Sequence, residues 1–65
     1  MMKLVNLENG ELVEDGIENV GDVQFFIHVP YTIQARGDSE TYLIEIKQAD
    51  NRIVQLVLID ESELL

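Results

Sequence analysis

Apolar and polar positions alternate along the chain in short runs, and glycine or other turn-forming residues break those runs at close intervals. No stretch sustains apolar residues at i, i+3, i+4 and i+7 over three turns, so the pattern predicts strands rather than amphipathic helices. The first run is Lys3-Leu4-Val5-Asn6-Leu7; Glu8-Asn9-Gly10 and then Glu11-Leu12-Val13-Glu14 follow. Asn-Gly tolerates the positive φ of a type I′ turn, which predicts an N-terminal hairpin. Asp15-Gly16-Ile17-Glu18-Asn19-Val20-Gly21-Asp22 carries two glycines and reads as a loop. The related units ENG at 8–10, EDG at 14–16 and ENVG at 18–21 are repeated turn chemistry, too short and irregular for a solenoid.

Val23 to Val29, VQFFIHV, puts Val23, Phe25, Ile27 and Val29 on one face of a strand and Gln24, Phe26 and His28 on the other. Pro30 cannot donate a backbone hydrogen bond and marks a bend, bulge or edge position. Alternation resumes at Tyr31-Thr32-Ile33-Gln34-Ala35 and again at Tyr42-Leu43-Ile44-Glu45-Ile46-Lys47. Asp50-Asn51 is a two-residue turn into Ile53 to Ile59, which predicts a second hairpin of 42–48 with 53–59.

Six of the seven residues from Ile53 to Ile59 are apolar, so both faces of that strand want cover. A strand with one solvated face alternates. This one is expected to lie centrally, under other strands on both faces, or to meet another chain. Such a run is a β-aggregation hazard, and Arg52 before it and Asp60-Glu61 after it are gatekeeper charges. Asp60 and Glu63 have capping-box spacing for a helical turn in the tail. The expected fold is all-β: one domain over residues 1–65, a small antiparallel meander or SH3-like barrel of five to six short strands. Its expected core is Leu4, Leu12, Phe25, Ile27, Val29, Ile33, Ile44, Ile46, Leu56 and Leu58.

Composition narrows the chemistry. A chain of 65 residues is one domain, and a domain this small buries only ~60% of the surface its unfolded chain exposes. Disulfides and thiolate metal sites are excluded because there is no cysteine, and a His-rich zinc site because there is one histidine. Good packing or oligomerisation must hold the chain together. No apolar run approaches the ~18–20 residues of a membrane span. The N-terminal MMKLVNLENGEL lacks the pattern of a secretory signal, so a cytoplasmic protein is expected.

Arg36-Gly37-Asp38-Ser39 matches the cell-adhesion tetrapeptide of matrix proteins. It also falls between two strands, and Gly and Asp are what a hairpin loop uses for positive φ and for side-chain-to-backbone bonds. The turn is the reading adopted. His28 reads as a partly buried strand histidine, and no serine stands in a nucleophile elbow. The carboxylate pairs Glu14-Asp15, Asp60-Glu61 and Glu18 with Asp22 lack the cleft that acid–base catalysis needs, and 14–22 lacks calcium-loop spacing. No phosphate loop is present, and the expectation is no catalysis, no cofactor and no metal. A small enzyme or carrier would need a pocket around His28 and Tyr31.

What remains is charge. The formal net charge is −9, from 13 acids against 4 bases, which repels nucleic acid and anionic membranes and attracts basic proteins. Residues 8 to 22 hold six acids, Glu8, Glu11, Glu14, Asp15, Glu18 and Asp22, and no base. Asp60 and Glu61 join them as expected partner-binding residues if the N-terminal hairpin and the tail share one side. Acids spaced along a rigid β scaffold imitate duplex phosphates. In size and acidity the chain resembles small phage- or mobile-element-encoded proteins that inhibit host enzymes. The expected function is therefore a non-catalytic inhibitor of a basic, nucleic-acid-handling protein. The alternative is an assembly module, a small subunit or particle component, that uses the apolar strand 53–59 to form a homodimer or to dock on a larger partner.

Overall fold

The computed structural model describes residues 1–37 and 40–60. The fold is all-β, with five antiparallel strands in one sheet: β1 (Met2–Asn6), β2 (Leu12–Ile17), β3 (Thr32–Ala35), β4 (Thr41–Lys47) and β5 (Ile53–Asp60), in the order β2-β1-β5-β4-β3. Chain neighbours pair as in a meander, except that β2 and β3 lie on opposite edges and β1 pairs with β5 instead. Five strands at about 4.8 Å spacing set those edges ~19 Å apart. Residues 18–31 must cross that distance, and they do so over one face of the sheet.

That crossing corrects the expected strand at Val23–Val29. Val20–Phe25 is a 3-10 helix. The Phe26 and Ile27 N–H groups both donate to the Val23 carbonyl, at 3.0 and 2.9 Å. Asn19 enters extended, and its N–H donates to Asp22 Oδ2 at 3.4 Å. Helical spacing therefore selects the buried residues: Val23 and Ile27 are 1% and 8% exposed, while Phe25 is 65% exposed and Val29 is also outside. His28, expected partly buried on a strand, is exposed beyond the helix.

The core lies between this segment and the inner face of the sheet. Met2, Leu4, Ile17, Val23, Ile27, Ile44, Leu56 and Leu58 are buried, with Tyr31, Tyr42, Ile46 and Val54 packed against them. Of the expected core, Leu12, Phe25, Val29 and Ile33 are exposed. Leu12 fails because β2 is bulged. Val5 faces Leu12, Leu4 faces Glu14 and Met2 faces Ile17, so β2 gains an extra residue at two places. Gly16, at φ 69°, forms the second bulge and returns Ile17 to the core opposite Met2. Strand β2 thus runs through Gly16, where a loop was expected.

Both expected hairpins form, with longer turns. Asn6 N–H donates to Glu11 O at 2.9 Å and Gly10 N–H to Asn6 O at 2.8 Å. Gly10 has φ 74°, and Asn9 is not in the positive-φ region, so the turn is not type I′. Asn9 serves through its side chain, which accepts the Glu11 N–H at 2.9 Å. The second hairpin closes with Gln48 N–H to Arg52 O at 2.8 Å, which leaves three turn residues, and Asn51 takes φ 67°.

Strand β5 is central, between β1 and β4. Its cover is one-sided. Leu56 and Leu58 are buried on the inner face, while the outer row Val57, Val5, Leu43 and Leu12 has no second layer among the described residues. The expectation of strands over both faces of 53–59 is corrected accordingly.

Candidate functional site

Strand β2 is one edge of the sheet, and five of the expected binding acids lie on it or on its two flanking turns: Glu8, Glu11, Glu14, Asp15 and Glu18. Glu14 is half-buried opposite Leu4; the other four are exposed. Their local bonds stiffen the edge. Glu14 Oε1 accepts the Asp15 N–H at 3.3 Å, and Asp15 Oδ1 accepts the Gly16 N–H at 2.7 Å. Among the described residues Lys3, one strand inward, is the one cation in ion-pair range of this edge, with Nζ 3.9 Å from Asp15 Oδ2.

The remaining acids divide. Asp22, on the 3-10 helix, is half-buried and committed to the Asn19 N–H. Asp60 ends β5 opposite Met2, in the cross-strand row that continues to Ile17, and its Oδ2 lies 3.8 Å from the Met1 ammonium. It therefore stands at the Glu18 end of the sheet. Glu8 is at the other end and shares a groove of about 340 Å³ with Arg52. Glu61 lies outside the described residues. So the β2 edge and its flanks carry Glu11, Glu14, Asp15 and Glu18 in succession, with Glu14 on the inner face beside Leu4 and Asp15 on the outer face beside Lys3; Asp60 lies at its end, and Glu8 shares a groove with a base.

Glu40 was not among the expected residues. It faces Glu18 across a groove of about 210 Å³ lined also by Met2, Asn19, Val20 and Tyr42. The two are far apart in the chain and line one groove because β4, β5, β1 and β2 pair in that order.

The Arg36-Gly37-Asp38-Ser39 turn is consistent with hairpin closure, since β3 pairs antiparallel with β4 and the Arg36 N–H donates to Thr41 O at 2.9 Å. Asp38 and Ser39 lie outside the described residues. A largely apolar groove of about 320 Å³ runs beside Tyr31, lined by Pro30, Thr32, Glu45, Lys47 and Ile53. His28 is not part of its lining. Among the described residues no group of three or more His, Asp or Glu side chains is placed to hold a metal ion. Likewise, no helix among them is long and apolar enough to cross a membrane.

No protein-family model, curated protein or solved structure matches this chain.

Proposed function

We propose that this chain is a non-catalytic, cytoplasmic interaction protein whose acidic β2 edge docks in the nucleic-acid groove of a basic protein and inhibits it. The observation that carries the reading is the succession of Glu11, Glu14, Asp15 and Glu18 along the bulged edge strand and its two flanks, with Lys3 as the one base ion-paired to it among the described residues. The bulges shorten it: Glu11 to Ile17 runs alongside only Asn6 to Met2, so at a rise of ~3.3 Å per residue the line to Glu18 spans roughly 17 Å. Its mean charge spacing, about 5–6 Å, exceeds the ~3.4 Å per phosphate of one DNA strand. A partner built for phosphates gains Coulomb attraction from such an edge, and the attraction weakens with salt. The same acids also keep the edge from pairing with other strands, so solubility and docking draw on one feature. Size and acidity suit a phage- or mobile-element-encoded inhibitor, and the chain itself neither binds nucleic acid nor membrane and holds no cofactor.

The test is capture from a nuclease-treated lysate on the immobilised chain, followed by competition. Captured proteins should be basic, should elute with rising salt, and should be displaced by added duplex DNA. The triple variant Glu11→Lys, Glu14→Lys, Glu18→Lys should lose them. Equal capture by that variant at low and moderate salt would sink the proposal.

A second reading has its own observation. Leu12, Val5, Val57 and Leu43 form one apolar row across the uncovered outer face, beside Ile59. An assembly module would dock through this row rather than through the acids. Val57→Lys would then abolish assembly, whereas the triple reversal would leave it intact.

A further inference from the structure

The two edges of the sheet are built differently. Edge β2 carries two bulges and a line of acids. Edge β3, Thr32-Ile33-Gln34-Ala35, is regular in register with β4, has no charged residue, and is exposed along its whole length. Bulges and charges are the standard guards against strand addition, and β3 has neither.

The ladder tells which backbone groups face outward. Arg36 N–H donates to Thr41 O, so Arg36 and Thr41 form a hydrogen-bonded pair. Antiparallel pairs alternate between bonded and non-bonded. In this register Gln34–Leu43 and Thr32–Glu45 are therefore bonded, and the N–H and C=O groups of Ile33 and Ala35 point away from β4. By the same alternation so do those of Tyr31. An incoming strand must offer bonding groups at matching alternate positions.

We propose that a second copy of this chain supplies that strand, and that two β3 edges pair antiparallel about a two-fold axis through Ile33. In this register Ile33 faces Ile33 of the second copy, and Tyr31 faces its Ala35. All three outward-facing residues then bond reciprocally. Cross-strand neighbours share a face, and Ile33 and Ala35 share theirs with the core residue Ile44 and with Tyr42, which packs against the core. Pairing thus extends the apolar inner face across the axis. Ile33, 38% exposed beside fully buried Ile44, gains the cover it lacks.

Two arguments favour a second copy over an unrelated strand. Self-pairing opposes no like charges, because the strand has none, although the chain carries −9. The acids of edge β2 lie ~19 Å away, beyond the ~8 Å screening length at physiological salt; Glu45 is one strand inward, opposite Thr32. Moreover β3 cannot propagate onto a guarded β2, so assembly stops at a closed pair instead of a filament. The proposal stands apart from the acidic edge and leaves that edge outward on both copies.

Sedimentation equilibrium over a concentration series tests it, with the wild-type chain, Ile33→Lys, Ile33→Glu and an equimolar mixture of the two variants. The register places each new charge against its own copy. Wild type should dimerise, each variant alone should associate at least about tenfold more weakly, and the mixture should regain a dimer by pairing Lys with Glu. Recovery in the mixture also shows that both variants fold. A wild-type chain that stays at 7.4 kDa up to about 1 mM overturns the proposal. So does a dimer that both variants leave unchanged, which would place the interface elsewhere. Two monomeric variants that fail to recover when mixed would overturn the two-fold register through Ile33.

Discussion

At the scale of single residues, backbone geometry rather than packing decides which positions tolerate change. Gly16 and Gly21 are five positions apart and both have open space where a Cβ would go, but of the two only Gly16 has positive φ, at 69°. Gly16→Ala should therefore cost about 1–2 kcal/mol through left-handed strain alone. Gly21→Ala, in a helical turn, should be neutral or stabilising by up to about 1 kcal/mol. Urea unfolding of the pair checks this, and equal effects would contradict the bulge. Asn51 occupies the left-handed position of the second hairpin, so Asn51→Gly should raise stability by a few tenths to about 1 kcal/mol. Asp15-Gly16 was read as part of a loop but is a bulge inside β2; the two hairpin turns were legible because Asn-Gly and Asp-Asn stand between apolar runs. Their lengths were not, because loop size depends on which residues close the ladder, and that is fixed by the partner strand.

Among the elements, the crossing segment carries the main lesson. VQFFIHV fits two periods at once: Val23, Phe25, Ile27 and Val29 alternate, while Val20, Val23 and Ile27 have helical spacing. Local pattern cannot choose between them. The choice comes from topology, because β2 and β3 end on opposite edges and the connection must cover the inner face. Ile27→Val should cost about 1 kcal/mol, whereas Phe25→Ala should change stability by less than about 0.5 kcal/mol. A strand at Val23–Val29 with Phe25 inside would give the reverse order in thermal melts. Strand β4 was readable because its alternation survives in a regular ladder, and β5 because its apolar run follows a turn signal. The error at Leu12 has the same root as the surprise at Ile17: two bulges shift the phase of β2, and only the cross-strand register reveals them. The two-sided apolar character of 53–59 was also readable, but what covers its outer face lies beyond a single strand's pattern.

For the whole molecule, charge dominates. A chain at −9 repels itself in the compact state, and its three described ion pairs involve partly or largely exposed groups that add little. Raising salt from about 0.02 to about 0.3 M, which shortens the screening length several-fold, should raise the urea midpoint. A lower midpoint would mean that the ion pairs outweigh the repulsion. The acidic edge was largely legible because its members fall in one short stretch of sequence, from Glu11 to Glu18. Glu40 was not, since only the pairing of four strands brings it to Glu18. The central claim is that the placement of these acids, and not the bulk charge, makes the binding surface. The most direct test compares two variants of equal net charge against the captured basic partner by titration calorimetry at fixed salt. One is Glu11→Gln, Glu14→Gln, Glu18→Gln; the other is Gln24→Lys, Gln48→Lys, Ala49→Lys, at exposed positions outside β2. Both lift the formal charge by three units from −9. The account predicts that the edge variant loses at least about tenfold in affinity, more than about 1.4 kcal/mol, while the other stays within about threefold of wild type. Equal losses would contradict it and reduce the acids to a source of solubility.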